Sequence, residues 1–236
     1  MDLAVVTIVA FAFALAFVVA LIVAGVVLPR RRRQRVTAWA AANGWVYRAA
    51  DPELTERWRG APFGVGSSRR ATEVLTGTWQ GRPATSLKYR YSTSSGNEQT
   101  TYTFHVLVIA LPAFLPTLEL MPESLGARLA KAVGGQDLEF ESADFNRAWR
   151  VTSRMPRFAH DVVHPRLMER LLRPGARANL RIEGTDILTW SAGVPDLDLV
   201  AARLGLLDAV VRSIPRFVWL EHGYDPMTCT SPEGEK

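Results

Sequence analysis

The sequence has a single cysteine, Cys229. One thiol cannot form an intrachain disulfide, which excludes a disulfide-stapled secreted scaffold and fits a reducing compartment. Lysine is scarce as well: Lys88, Lys131 and Lys236 are the only three, and the other basic residues are arginine. The chain contains no Gly-x-Ser-x-Gly elbow, no Walker loop, no Cys-x-x-Cys pair and no Cys–His signature. The enzyme families defined by those motifs are therefore not indicated. A basic folded face is missing too. There are 28 Lys+Arg against 23 Asp+Glu, yet five of the arginines (Arg30, Arg31, Arg32, Arg33 and Arg35) crowd one short stretch. Without those five the body is balanced, 23 against 23. A nucleic-acid-binding domain carries its basic excess on a folded face, so nucleic acid is not an expected partner.

The chain does have one long apolar run. From Leu3 to Leu28 only Thr7 is neither apolar nor glycine. About 20 apolar residues cross a bilayer core, and a longer run tilts or overhangs into the headgroups. A cleaved signal peptide needs a basic start and an apolar core of about 7–15 residues. Here the start, Met1-Asp2, is acidic and the run is longer, which predicts an uncleaved anchor with the lipid bilayer as partner of residues 3–28. Lys and Arg mark the cytoplasmic end of a span. The arginines follow the run, so the N-terminus is expected outside and the rest in the cytoplasm, on a single-pass protein of the cell membrane. Arginine near anionic headgroups gains about 1 kcal/mol per charge, so Arg30, Arg31, Arg32, Arg33 and Arg35 are candidates for membrane-surface contact. Ala12, Ala16, Ala20 and Ala24 form a small-residue stripe of the kind through which spans dimerise. An anchor-mediated homodimer is the corresponding expectation.

Domain organisation follows: anchor 1–29, basic flank 30–35, domain 36–225 and loose tail 226–236. The domain divides in turn into subdomains of about 36–134 and 135–225. Its pattern predicts an α+β fold with an antiparallel β-meander and packed helices. A helix is expected over Arg31–Asn43 with Gly44 as its stop, then a short strand Gly44–Arg48 and a helical turn capped by Asp51. Strands follow over Ala71–Gln80 and Pro83–Tyr91, hinged at Gly81-Arg82, and then a polar turn Ser92–Gln99. Thr100–Leu111 is the clearest strand, apolar on both sides in its second half as in a sheet centre. Thr117–Met121 is a separate extended piece, and Ser124–Val133 a helix. Further strands are expected at Leu138–Glu141 and Ala148–Thr152 about an Asp144–Asn146 turn. Arg157–Val163 and Pro165–Leu172 form a helical pair. Asn179–Glu183 and Ile187–Trp190 form a hairpin about Gly184–Asp186. A long amphipathic helix Leu197–Ser213 follows, capped by Asp196, with Leu199 and Leu207 on its apolar side. Phe217–Leu220 reads as a last strand.

Several of these segments carry a resemblance. Leu138–Ser142, Asp144–Arg147, Trp149–Thr152, Arg157–Asp161 and His164–Glu169 resemble the C-terminal signature of a family of membrane-anchored bacterial proteins, many of them actinobacterial, defined as domains of unknown function. Leu111–Pro116 and Ile214–Trp219 are similar to other segments of that family. The resemblance implies an anchored cytoplasmic domain. It assigns no activity and no functional residue.

Two functional readings result. The first is a non-enzymatic binding or scaffold module at the inner membrane face, with a protein or a lipid headgroup as partner and no cofactor. The second is a membrane-tethered metal-dependent hydrolase. It rests on His160 and His164, whose i, i+4 spacing on a helix would let both imidazoles reach one zinc ion, with Asp161 beside them. Against it stand the short acid and Pro165, which disfavours helical geometry at His164. Gly64–Arg69 lacks the third glycine and the following helix of a phosphate cradle and reads as a loop. Asp144 and Asn146 read as turn residues around an anchoring Phe145.

Overall fold

The computed structural model describes residues 3–96, 98–123 and 136–228. The expected helix Ser124–Val133 and residues 229–236 of the expected tail, Cys229 among them, lie outside the described residues. The chain divides into two compact units, Met1–Tyr47 and Arg48–Lys236.

The first unit is helical almost throughout. Helix α1 (Leu3–Ile22) passes through one π-helical turn, Val23–Val27, into α2 (Leu28–Ala42). Pro29 has no amide to offer the preceding turn, and the π turn falls there, where the ladder must adjust. Among the described residues one helix is long and apolar enough to cross a membrane, by length and composition. The end of α2 is as expected: Asn43 Nδ2 donates to the Trp39 carbonyl at 2.8 Å, and Gly44 takes a left-handed φ of +69°. Trp39 and Trp45 meet edge to face, centroids 5.6 Å apart.

The second unit is built on a seven-stranded sheet. Strand β1 (Val46–Ala50) is followed by a short 3₁₀ turn, Pro52–Thr55, whose cap Asp51 accepts from the Glu53 amide at 3.2 Å. Strands β2 (Ser67–Trp79), β3 (Arg82–Ser95) and β4 (Glu98–Pro122) form the antiparallel meander. The first hairpin turns on Gln80-Gly81, φ +50° and +80°, with Trp79 facing Arg82. That is one residue earlier than the sequence pattern places it, because a two-residue hairpin loop needs positive φ at both positions. At the second hairpin Ser95 already faces Glu98. Most of the expected polar turn is therefore ladder.

Strand β4 is the spine of the fold. It absorbs both Thr100–Leu111 and Thr117–Met121 in one strand, and register shifts accommodate Pro112 and Pro116 between them. β3 lies along one edge of its first half. Along the same edge of its second half runs β6 (Trp149–Ser153), which in turn pairs with β5 (Gln136–Leu138). The other edge is occupied by β7 (Asn179–Ala192), which runs unbroken past the point where a hairpin was expected. Gly184 has φ +62° but lies opposite Leu115 in a bulge, and Phe114 packs over it. A glycine in an apolar-flanked run signals a bulge as readily as a turn.

Helices complete the unit: α3 (Ala143–Ala148), α4 (Pro156–Val162), α5 (Pro165–Leu171), α6 (Val200–Ser213, preceded by a 3₁₀ turn Leu197–Leu199) and α7 (Arg216–Glu221). α6 lies across β4 and β7 and buries Leu204, Leu207 and Val210, while Leu199 points outward. Two expectations change. Asp144–Asn146 lies within α3, capped by Ser142, with Phe145 fully buried. Phe217–Leu220 is helix rather than strand, because Val218 and Trp219 are buried as neighbours while Phe217 and Leu220 are exposed, a pattern without strand alternation. The expected order, an apolar N-terminal helix followed by an α+β fold with an antiparallel meander, otherwise holds.

Candidate functional site

A cluster of buried charge clamps the segment between β1 and β2 onto the sheet. Glu119 on β4 and Arg181 on β7 are cross-strand partners. The Arg181 guanidinium is fully buried. It donates to Glu119 Oε2 from Nη2 at 2.9 Å and from Nε at 3.2 Å. It also donates to the carbonyls of Arg59 at 2.6 Å and Ala61 at 2.7 Å. Beneath it lies the Trp190 ring, 4.8 Å away. Further along β7, Asp186 accepts from Arg57 at 2.6 and 2.8 Å and from Trp58 Nε1 at 2.9 Å. Glu183 Oε1 accepts from the Arg59 amide at 3.0 Å, whereas its Oε2 has no hydrogen-bond donor.

These polar ties seat an aromatic plug. Phe63 packs at 5.1–5.7 Å between Trp58, Tyr89 and Trp190, in a core that includes Leu87, Phe104, Val106 and Leu188. Burial is the first cause that pushes the Glu119 carboxyl above its ordinary value, with Arg181 pulling the other way. Burial likewise raises the Glu183 carboxyl, against the Arg59 amide and Arg181. The guanidinium spends its donors inside the protein, so the chemistry of this cluster is that of a fastener.

On the opposite face of β3 and β4, Ser86 Oγ lies 2.9 Å from His105 Nε2, and the Asp196 amide donates to His105 Nδ1 at 3.3 Å. This order resembles a nucleophilic triad, but the hydrogen bonds run the wrong way. A backbone amide at Nδ1 requires a lone pair there, so the proton of a neutral ring sits on Nε2 and is donated to Ser86. An activated serine must instead donate to its base. Both residues are also buried. The pair ties β3 to β4 and to the approach of α6.

The metal-ligand candidates are held apart by their backbone. α4 ends at Val162, and His164 is extended, φ −77° and ψ 165°, as the residue before α5. Two imidazoles on one helical face are therefore not formed here. Instead His160 lies against the Phe140 ring at 4.7 Å, and His164 Nε2 donates to the Ser213 carbonyl at 2.8 Å. Among the described residues no group of three or more His, Cys, Asp or Glu side chains is gathered as for a metal. Of Gly64–Arg69 only the first three residues are loop, since β2 begins at Ser67; a Cβ on Gly66 would stand 2.5 Å from the Ser92 carbonyl, so the glycine is needed for close backbone approach. Asn146 closes a local ring with the Phe140 backbone, accepting at 3.0 Å and donating at 2.7 Å. Arg30, Arg31, Arg32, Arg33 and Arg35 belong to α2 in the first unit.

His164 opens onto a hollow of about 640 Å³ between α5 and the end of α6. Burial of Leu167, Met168 and Leu171 turns Arg166, Arg170 and Arg173 outward to line it. Arg212, from the last turn of α6, lines the other side and bonds Asp208 at 2.6 Å. Glu169 is the one acid in the lining. Sequence reasoning misses this hollow. The Arg166/Arg170/Arg173 spacing is visible, but Arg212 joins it only through the fold.

Structurally, then, this is an α+β domain on a long bulged central strand, preceded by an apolar helix. That fold is similar to the crystal structure of the mycobacterial trehalose monomycolate transport factor A, TtfA, with a TM-score of 0.54 and 14% identity over 77% of this chain and 95% of that one. At this identity the likeness is one of fold. No protein-family model matches the chain, and no curated protein matches it.

Proposed function

We propose that this chain is a single-pass membrane protein whose folded domain faces the cytoplasm and acts as a binding or scaffold module, not as an enzyme, at the inner membrane face. The observation that carries the reading is the continuous helix from Leu3 to Ala42, apolar as far as Leu28 and then studded with five arginines. An apolar run of that length spans a bilayer, and basic residues at one end hold that end in the cytoplasm. The domain supports the second half of the reading. Its buried ionic cluster and its Ser86–His105 pair are consumed in holding layers together. A neighbour of the same fold is described as a transport factor, which supports a role serving a transport process. The resemblance to anchored bacterial domains of unknown function points the same way.

Fractionation tests the anchoring. The full chain should stay in the membrane pellet through high salt and alkaline carbonate, and a variant lacking residues 3–28 should move to the supernatant. Release of the full chain by salt alone would overturn the reading.

A further inference from the structure

We infer that the hollow between α5 and α6 is a binding site for a phosphate-bearing anion. The inference deepens the binding-module reading and rests on it for its context, but its chemistry is local to the domain.

Three observations converge. Arg166, Arg170 and Arg173 recur at i, i+4 and i+7 along α5 and the turn after it, so like charges stack on one face. Such spacing repels and is unfavourable unless something anionic answers it. Next, Arg57, Arg82, Arg150, Arg181 and Arg216 each face a carboxylate. Arg166, Arg170 and Arg173 have no ion pair among the described residues, although Glu169 sits among them. In a body whose charges balance only in total, that is a local excess of positive charge. Finally, the arginines surround a concavity and not a convex face. About 640 Å³ is within the range of small-molecule sites.

Guanidinium groups match phosphate oxygens in planar, paired hydrogen bonds. Arg170 and Arg173 on one wall and Arg212 on the other can approach a phosphate from two sides. Arg212 is already oriented by Asp208, which is itself held by Arg82 at 2.6 Å. His164 is fixed by its Nε2–H bond to Ser213, which leaves Nδ1 as the ring's other nitrogen at the rim. One ligand chemistry, a phosphate monoester or diester, can come from a free metabolite or from a lipid headgroup.

The test uses full-length protein in neutral detergent, titrated calorimetrically with inorganic phosphate and, separately, with dihexanoyl phosphatidic acid below its micelle concentration. Wild type should bind a phosphate-bearing probe saturably. The double variant Arg170→Ala/Arg173→Ala should weaken binding at least tenfold with an unchanged melting curve, since both side chains are exposed. The Arg170→Lys/Arg173→Lys variant should fall between them. Replacing the five juxtamembrane arginines with serine should leave binding intact, which separates this site from the membrane flank. Equal affinity for both probes assigns recognition to the phosphate alone. Binding of phosphatidic acid with no binding of phosphate assigns it to a lipid headgroup. No saturable binding of either probe, or binding undiminished by the double alanine change, overturns the inference, and neither result bears on the fractionation outcome.

Discussion

Arg181 shows how much a single buried side chain can decide. Arg181→Met leaves the Glu119 carboxylate buried without its partner and orphans the carbonyls of Arg59 and Ala61. Breaking such a pair from one side costs about 3–5 kcal/mol. Urea denaturation should show a loss of that size. Arg181→Lys should restore little of it, because an ammonium is a point donor and cannot span a carboxylate and two carbonyls. A lysine variant as stable as wild type would mean that charge alone matters. Glu183 makes the complementary case. Its carboxyl is raised by burial, so the folded state holds the proton to a higher pH than the unfolded chain does. Its contribution to stability is therefore complete below the unfolded pKa, about 4.3, and is lost as pH rises through the folded value. Glu183→Gln keeps an oxygen for the Arg59 amide and cannot ionise. Relative to wild type it should be more stable at pH 8 than at pH 4.5, giving a flatter stability profile. Parallel profiles would show that Glu183 does not titrate in that window. The sequence does hint at this cluster, since Glu119 and Arg181 are charges inside apolar runs, Leu118-Glu119-Leu120 and Leu180-Arg181-Ile182. It gives no sign that they are each other's partners, because register is a property of the folded sheet.

Among elements, the β4–β7 pair carries the fold, and it is where local reading and structure part. Periodicity finds the apolar centre of β4 because residues 104–109 are buried on both faces. It breaks β4 in two at Pro112 and Pro116, and it breaks β7 at Gly184. In the sheet these breaks are one feature: Gly184 lies opposite Leu115, and the extra β4 residues are taken up in register shifts on either side of that pair. Each punctuation mark is legible alone, but their cancellation across the ladder is not. α7 fails for another reason, as a run of four apolar residues fits helix or strand until burial chooses. A β4–β7 spine predicts a definite order of local stability. Amide exchange should be slowest at Val106–Ile109 and Ile187–Trp190, which are paired and buried. It should be faster in β5, a three-residue strand at the sheet's edge. Exchange that is as slow in β5 as in β4 would remove the spine from its central place.

At the scale of the whole molecule, the proposed topology turns on where the positive charges stand relative to the span. The flank before the apolar run carries Asp2 and no base, and the flank after it carries Arg30, Arg31, Arg32, Arg33 and Arg35. The balance of Lys and Arg near the ends sets orientation, and acidic residues contribute little. The bias should therefore be reversible by moving charge without touching the domain. With a C-terminal reporter on the intact chain, a fluorescent protein that folds only in the cytoplasm should shine, and alkaline phosphatase, active only outside, should stay silent. Replacing the five arginines with serine should give a mixed population. Adding Asp2→Lys and Leu3→Lys to that change should shift most molecules to phosphatase activity. If the unaltered chain already carries active phosphatase, the domain lies outside and the cytoplasmic reading fails. If the serine variant keeps full fluorescence, orientation is fixed by the folding of the domain before insertion, and the arginines serve the membrane surface instead.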